Sequence, residues 1–135
     1  MKIKDIKFKA KRLDNGEWVY GSLIRSTAGV KERAYIVDSF SSMSDYSVIG
    51  VDPSTVCQFT GLKDCDGNEI YEGDILAEKR CPEFEVGYIN CTFAAAYVGD
   101  DKFIFNLTAL SEVCTVCDNK FDRKEGEKWR SMSMW

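Results

Sequence analysis

The chain contains no histidine. That absence removes Ser-His-Asp and Cys-His arrangements from within the chain, together with His-ligated zinc sites. It also removes the side chain most often used for acid–base work near neutral pH. Carboxylate, lysine and tyrosine chemistry stays open in principle, but an enzyme is not expected. Proline is scarce, with two in 135 residues, and no stretch is of low complexity. Neither a linker nor a disordered chain is therefore expected. No run of 18 apolar residues occurs, so no membrane span is expected. The start, Met1-Lys2-Ile3-Lys4-Asp5, lacks the apolar stretch of a secretory signal. These absences predict a cytoplasmic protein. Its six cysteines (Cys57, Cys65, Cys81, Cys91, Cys114, Cys117) then read as thiols and not as a disulfide framework.

What is present suits a folded domain: 44% hydrophobic residues, 30% charged residues, and the length of one domain or two very small subdomains. The net charge of −4 is uneven. Residues 1–12 hold six basic residues and one acid, whereas residues 13–119 hold seven basic residues and eighteen acids. An acidic body repels phosphate backbones, which disfavours broad nucleic-acid binding. Lys4, Lys7, Lys9 and Lys11 are expected on the solvent side of a strand or its flanks.

The pattern along the chain is strand after strand. Ile6, Phe8 and Ala10 alternate with lysines at a period of two. Asn15-Gly16 suits the positive φ angles of a tight hairpin, and Trp18 to Ile24 supplies the return strand. Ala34 to Val37 and Val48 to Val51 are further short strands, while Ser54 to Thr60 reads equally as a strand or a helical turn. Gly67 is the expected positive-φ residue of a turn. Glu69 to Leu76 leads into a strand through Gly73-Asp74-Ile75-Leu76, and further strands are predicted at Glu85 to Ile89 and at Thr92 to Val98. Lys102 to Phe105 is expected to pair back after a turn at Gly99. Asn106 is a plausible cap for a single turn over 106–110. Glu112 to Cys117 is the expected last strand. Many short strands with regular turns predict an all-β fold.

Cys114-x-x-Cys117 has zinc-knuckle or redox spacing. In an extended strand, however, residues three apart face opposite sides. No second pair of this spacing is present, so buried core thiols are the expectation. Asp64-Cys65-Asp66-Gly67-Asn68-Glu69 resembles a calcium loop only faintly, because Glu69 and Ile75 stand where Gly and Glu are needed. The acidic run from Asp64 to Glu85 reads as a solvated face, or as a site for a cation or basic partner. Aromatic residues are many, but basic residues do not interleave them, so they are assigned to the core.

Two stretches carry a resemblance. One runs without a gap from Val51-Asp52-Pro53-Ser54-Thr55 through Gln58-Phe59-Thr60-Gly61-Leu62 to Gly73-Asp74-Ile75-Leu76. The other joins Ile6-Lys7-Phe8-Lys9-Ala10 with Trp18-Val19-Tyr20-Gly21-Ser22-Leu23. Both are similar to the YopX protein family of phages and prophages. The resemblance implies an N-terminal β-hairpin subdomain over 1–56, an SH3-like small β-barrel over 57–119 and a tail over 120–135. It carries over no catalytic, metal-binding or cofactor-binding residues. Gln58, Thr60, Asp64, Tyr71, Glu72 and Asp74 belong to the matching motif and are the candidate surface, or else they cap turns and hold the fold together. No cofactor is expected. The functional expectation is a non-enzymatic accessory protein that binds a protein partner or itself, with possible homo-oligomers. The alternatives are nucleic-acid binding through the basic termini and a metal-dependent enzyme using the acidic segment.

Overall fold

The computed structural model describes residues 2–29, 31–38, 47–79 and 82–123. The tail beyond Arg123, with Trp129 and Trp135, lies outside the described residues, as does Cys81. The described chain is all-β, with ten strands, three 3₁₀ turns and one five-residue helix. It divides into two compact units, Met1–Phe59 and Thr60–Trp135.

In the first unit, β1 (Phe8–Lys11) and β2 (Trp18–Ser26) form the hairpin the sequence predicts, with Lys11 opposite Trp18. Gly16 takes φ of 73°, a region that an L side chain rarely adopts, and its N–H donates to the Arg12 carbonyl at 3.0 Å. Strands β3 (Arg33–Asp38) and β4 (Val48–Val51) continue the antiparallel meander. The segment after β4 is both structures the sequence allowed. Pro53–Thr55 is a 3₁₀ turn, capped by Asp52, whose carboxylate accepts from the Ser54 N–H at 3.0 Å. Cys57–Lys63 is then β5, with Gln58 opposite Phe8.

The strand order β4-β3-β2-β1-β5 leaves the far end of β1 uncovered by β5. That end meets β4 instead: Arg12 bridges Val51, and the Asp52 N–H donates to the Lys11 carbonyl at 2.9 Å. The meander is thus curled around its core, where Ala10, Val19, Ala34, Ile36 and Val51 are buried together. These five alternate along their strands with residues of the other face, as a period of two requires.

In the second unit, β5 runs on past Phe59 and neighbours β6 (Glu69–Tyr71). Strands β7 (Asp74–Ala77), β8 (Phe84–Ile89), β9 (Thr92–Tyr97) and β10 (Thr115–Asn119) form a four-stranded sheet in the order β10-β7-β8-β9. The helix α1 (Leu107–Ser111) begins at Asn106, whose side chain accepts from the Ala109 N–H at 3.1 Å, as its cap position predicts. Ile70, Leu76, Phe84, Val86, Ala95, Leu107 and Cys114 form the core of this unit.

Three expectations change here. Among the described residues β10 and β9 are the two edges of the sheet and do not pair with each other, so the sheet is open. Residues 102–105 make no strand. Phe103 sets its ring where a side chain at Gly87 would stand, and only Phe105 reaches β9, in a single bridge to Ala95. The last strand starts at Thr115 and not at Glu112, because α1 and the turn behind it occupy the chain as far as Val113.

Candidate functional site

The motif residues sort into two hubs. Asp64 is buried at the start of the turn between β5 and β6. Its Oδ1 accepts from the N–H groups of Asp66 and Asn68, at 2.9 and 2.8 Å. Its Oδ2 accepts from the Asn68 side-chain amide at 3.1 Å and from the Val116 N–H at 2.8 Å. Burial pushes the Asp64 pKa up, but the bonds from Val116, Asn68 and Asp66 outweigh it and hold the pKa below its ordinary value. Gly67 closes this turn at φ of 86°, as predicted.

Asp74 is the second hub and is also buried. Its Oδ2 accepts from the Tyr71 N–H at 2.7 Å, and its Oδ1 accepts from the Asn119 side-chain amide at 2.9 Å. Asn119 in turn accepts from the Phe121 N–H at 2.9 Å. Both motif carboxylates therefore end on β10. Thr60 donates its hydroxyl to the Ile70 carbonyl at 2.7 Å, and Tyr71 donates its hydroxyl to Glu69 at 3.1 Å. Glu72 is half-buried in the turn before β7, and Gln58 is half-buried on β5 in the first unit.

These partners limit the chemistry. A carboxylate whose lone pairs are taken by backbone and amide donors is poorly placed to bind a cation or move a proton. Among the described residues, no three Cys, Asp or Glu side chains group as a metal ion would require. Glu83, a member of the acidic run, is held by Arg123 through two bonds of 2.9 Å each, and Arg123 also donates to Asp118 at 2.7 Å. The hydrogen bond to Glu83, opposed by burial and reinforced by Asp118, raises the guanidinium pKa above its ordinary value.

The two cysteines of the CxxC pair part company. Cys114 is buried in the core, as expected. Cys117 is exposed, which corrects the expectation of a core thiol there. The register of β10 against β7 shifts between Val116 and Asp118, and this bulge turns Cys117 out of the core. Its thiol lies 3.6 Å from a Glu83 carboxylate oxygen. Although the residue is exposed, its sulfur sits 3.4 Å from the Ile75 carbonyl, and this partial desolvation, with the Glu83 charge and hydrogen bond added, pushes its pKa up to about 11. Such a thiol is a poor nucleophile and a poor metal ligand at neutral pH.

The lysines of β1 also depart from expectation. Lys9 is only 7% exposed, and its ammonium lies 4.7 Å from the centre of the Trp18 ring. Lys11 lies 5.4 Å from the same ring, and Lys7 lies 4.7 Å from the Phe59 ring. The register puts Trp18 opposite Lys11 and next but one to Lys9, so both ammonium groups reach its ring, Lys9 buried there and Lys11 half-buried.

Sequence reasoning missed one feature of the second unit. A groove of about 540 Å³ lies beside β9, lined by Phe93 of β9, Thr60 and Leu62 of β5, and Ile104, Leu107 and Thr108 around the start of α1. Its sequence signals are Thr60, one of the motif residues, and the aromatic cluster Phe103-Ile104-Phe105, which reads as a strand.

Fold and site together define an all-β protein of two small units, whose motif carboxylates serve its own backbone and whose open concavity lies at a sheet edge. The family model described as YopX protein matches residues 7–125, and the chain belongs to that family. No curated protein matches the chain.

Proposed function

We propose that this YopX family member is a non-enzymatic, phage- or prophage-derived accessory protein of the host cytoplasm that binds another protein or itself. The observation that carries the reading is the division of labour between polar and apolar groups. Asp64 and Asp74, the buried carboxylates of the motif, are engaged by Val116, Asn119 and neighbouring donors, and a catalytic role for them has no support. Tyr88, Ile89 and Ile104 of the second unit, by contrast, stand exposed. Tyr88 packs against Phe93 with ring centres 4.9 Å apart, and Phe93 lines the groove with Ile104, so the apolar surface is contiguous there, as on protein-binding faces.

We read the second unit as an open relative of the SH3-like barrel. Support comes from the meander β7-β8-β9 and from the return of β10 to lie beside β7. Nucleic-acid binding through the basic N-terminus has weaker support, because Lys7, Lys9 and Lys11 already lie against Phe59 and Trp18.

Size-exclusion chromatography with light scattering, at low and high salt, tests the reading alongside capture from a phage-infected or prophage-bearing host. A defined oligomer or a stoichiometric partner is the expected result. A monomer with no partner, from either the phage or the host, would overturn it.

A further inference from the structure

We infer that the groove beside β9 receives an extended, uncharged segment of a partner protein by strand addition. The inference rests on the protein-binding reading above and names the chemistry of the segment. Ala95 exchanges two backbone bonds with Phe105, its N–H to the Phe105 carbonyl at 3.1 Å and the return bond at 3.0 Å. Both therefore point away from β8, the strand that pairs with β9 among the described residues. Outward-facing groups recur at every second residue of an antiparallel edge. The N–H and C=O of Phe93 thus face the same way as those of Ala95. Beyond Phe105 the chain turns off into α1, so the ladder begun at Ala95 stops after one rung. At the next rung, among the described residues, the Phe93 carbonyl has the Thr92 hydroxyl at 3.5 Å and continues no backbone ladder.

The groove opens at this rung. A donor and an acceptor spaced as in a strand are satisfied together by another strand, whereas a helix has already used its own backbone groups. No charged side chain lines the groove, in a chain that is 30% charged. A charged residue entering it would lose hydration with no counter-charge to meet it, so the complementary segment is neutral. The walls supply Phe93, Ile104 and Leu107 for apolar side chains and Thr92 and Thr108 for hydroxyl or amide groups. A second copy of β9 fits less well. The open rung lies between the Phe105 bridge and the Asn90-Cys91 turn, and two edges recessed in this way leave each other little length to pair over.

The test uses the full chain and a displayed library of linear heptapeptides, with the recovered peptides synthesised and followed by amide NMR shifts. The expected result is recovery of uncharged, β-branched sequences. They should shift the Thr92, Phe93 and Ala94 amides and bind Ile104→Asp at least tenfold more weakly. Ile104 is 76% exposed, so that variant should melt where the parent does. Phe93→Pro, which removes the N–H of an edge strand, gives a second reading of the same rung. Peptides that shift residues of the first unit, or charged peptides, would overturn the inference while leaving the protein-binding reading standing. So would a concentration-dependent shift of Phe93 without any peptide, which would identify a second copy as the occupant. Recovery of no peptide would also overturn it, and host capture then decides the broader reading separately.

Discussion

Replacing Asp64 by asparagine isolates the bond between the β5–β6 turn and β10. The wild-type carboxylate accepts four hydrogen bonds, two on each oxygen. An asparagine that keeps its carbonyl on Asp66 and Asn68 places its own amide donor against the Val116 N–H, which was bonded at 2.8 Å. A charge-assisted bond is lost and a donor beside the core is left unpaired, a cost of about 2–3 kcal/mol. Asp64→Ala frees all the donors at once, and its cost rises to about 4 kcal/mol. Urea unfolding at neutral pH measures the loss, and hydrogen exchange at the Val116 amide locates it.

The pH dependence gives a second handle on the same bond. The folded pKa of Asp64 lies below its ordinary value of 3.8. Its contribution is therefore complete above about pH 4 and disappears as pH falls through the depressed folded value. The gap in stability between the parent and Asp64→Asn should be widest at neutral pH and close in strong acid. A change smaller than about 0.5 kcal/mol with Val116 equally protected would refute the reasoning, since surface substitutions alone produce that much.

Three further outcomes are expected. Cys117 should alkylate about tenfold more slowly than an ordinary thiol at pH 8. Its shift from 9.0 to about 11 cuts the thiolate about a hundredfold, and the greater nucleophilicity of the more basic sulfur restores about half of that on a logarithmic scale. Mass mapping after iodoacetamide checks this; exposed Cys65 and Cys91 should label first, and equal labelling of Cys117 would contradict it. Cys91→Gly should raise stability by about 1 kcal/mol, because Asn90 and Cys91 hold φ of 51° and 64° in a two-residue hairpin turn that favours Asn-Gly. A lower urea midpoint for that variant would count against it. Gly21→Ala should cost more than about 2 kcal/mol and loosen β2 from β3, since its Cβ would fall on the Val37 carbonyl, 3.0 Å from the carbonyl carbon. Unchanged hydrogen exchange along β3 would show that the strands can yield there.

Features that depend on a few neighbouring residues are legible in the chain directly. Asn15-Gly16 closes the β1–β2 hairpin because Gly16 supplies the positive φ and the Asn15 side chain accepts from the Glu17 N–H at 2.9 Å. Asn106 starts α1 because its side chain reaches an N–H three residues on. The alternation of Phe8 and Ala10 with lysines marks the buried face of β1 at a period of two. The family motif likewise marks the residues that build the two carboxylate hubs.

Features that depend on partners brought from afar are settled only by the folded chain. Asp64 meets Val116 across 52 residues, and Asp74 meets Asn119 across 45. No local pattern announces those donors. Cys117 reads as a core position from its spacing to Cys114, but the bulge in the pairing of β10 with β7 turns it outward. Lys9 reads as solvent-facing, but the register of β2 brings Trp18 within reach of its ammonium. Phe105 reads as part of a strand, but Phe103 takes up the space over Gly87 and leaves one rung where a ladder was expected. Backbone preference acts within a turn or two of chain, whereas register and packing are settled by whichever residues arrive opposite.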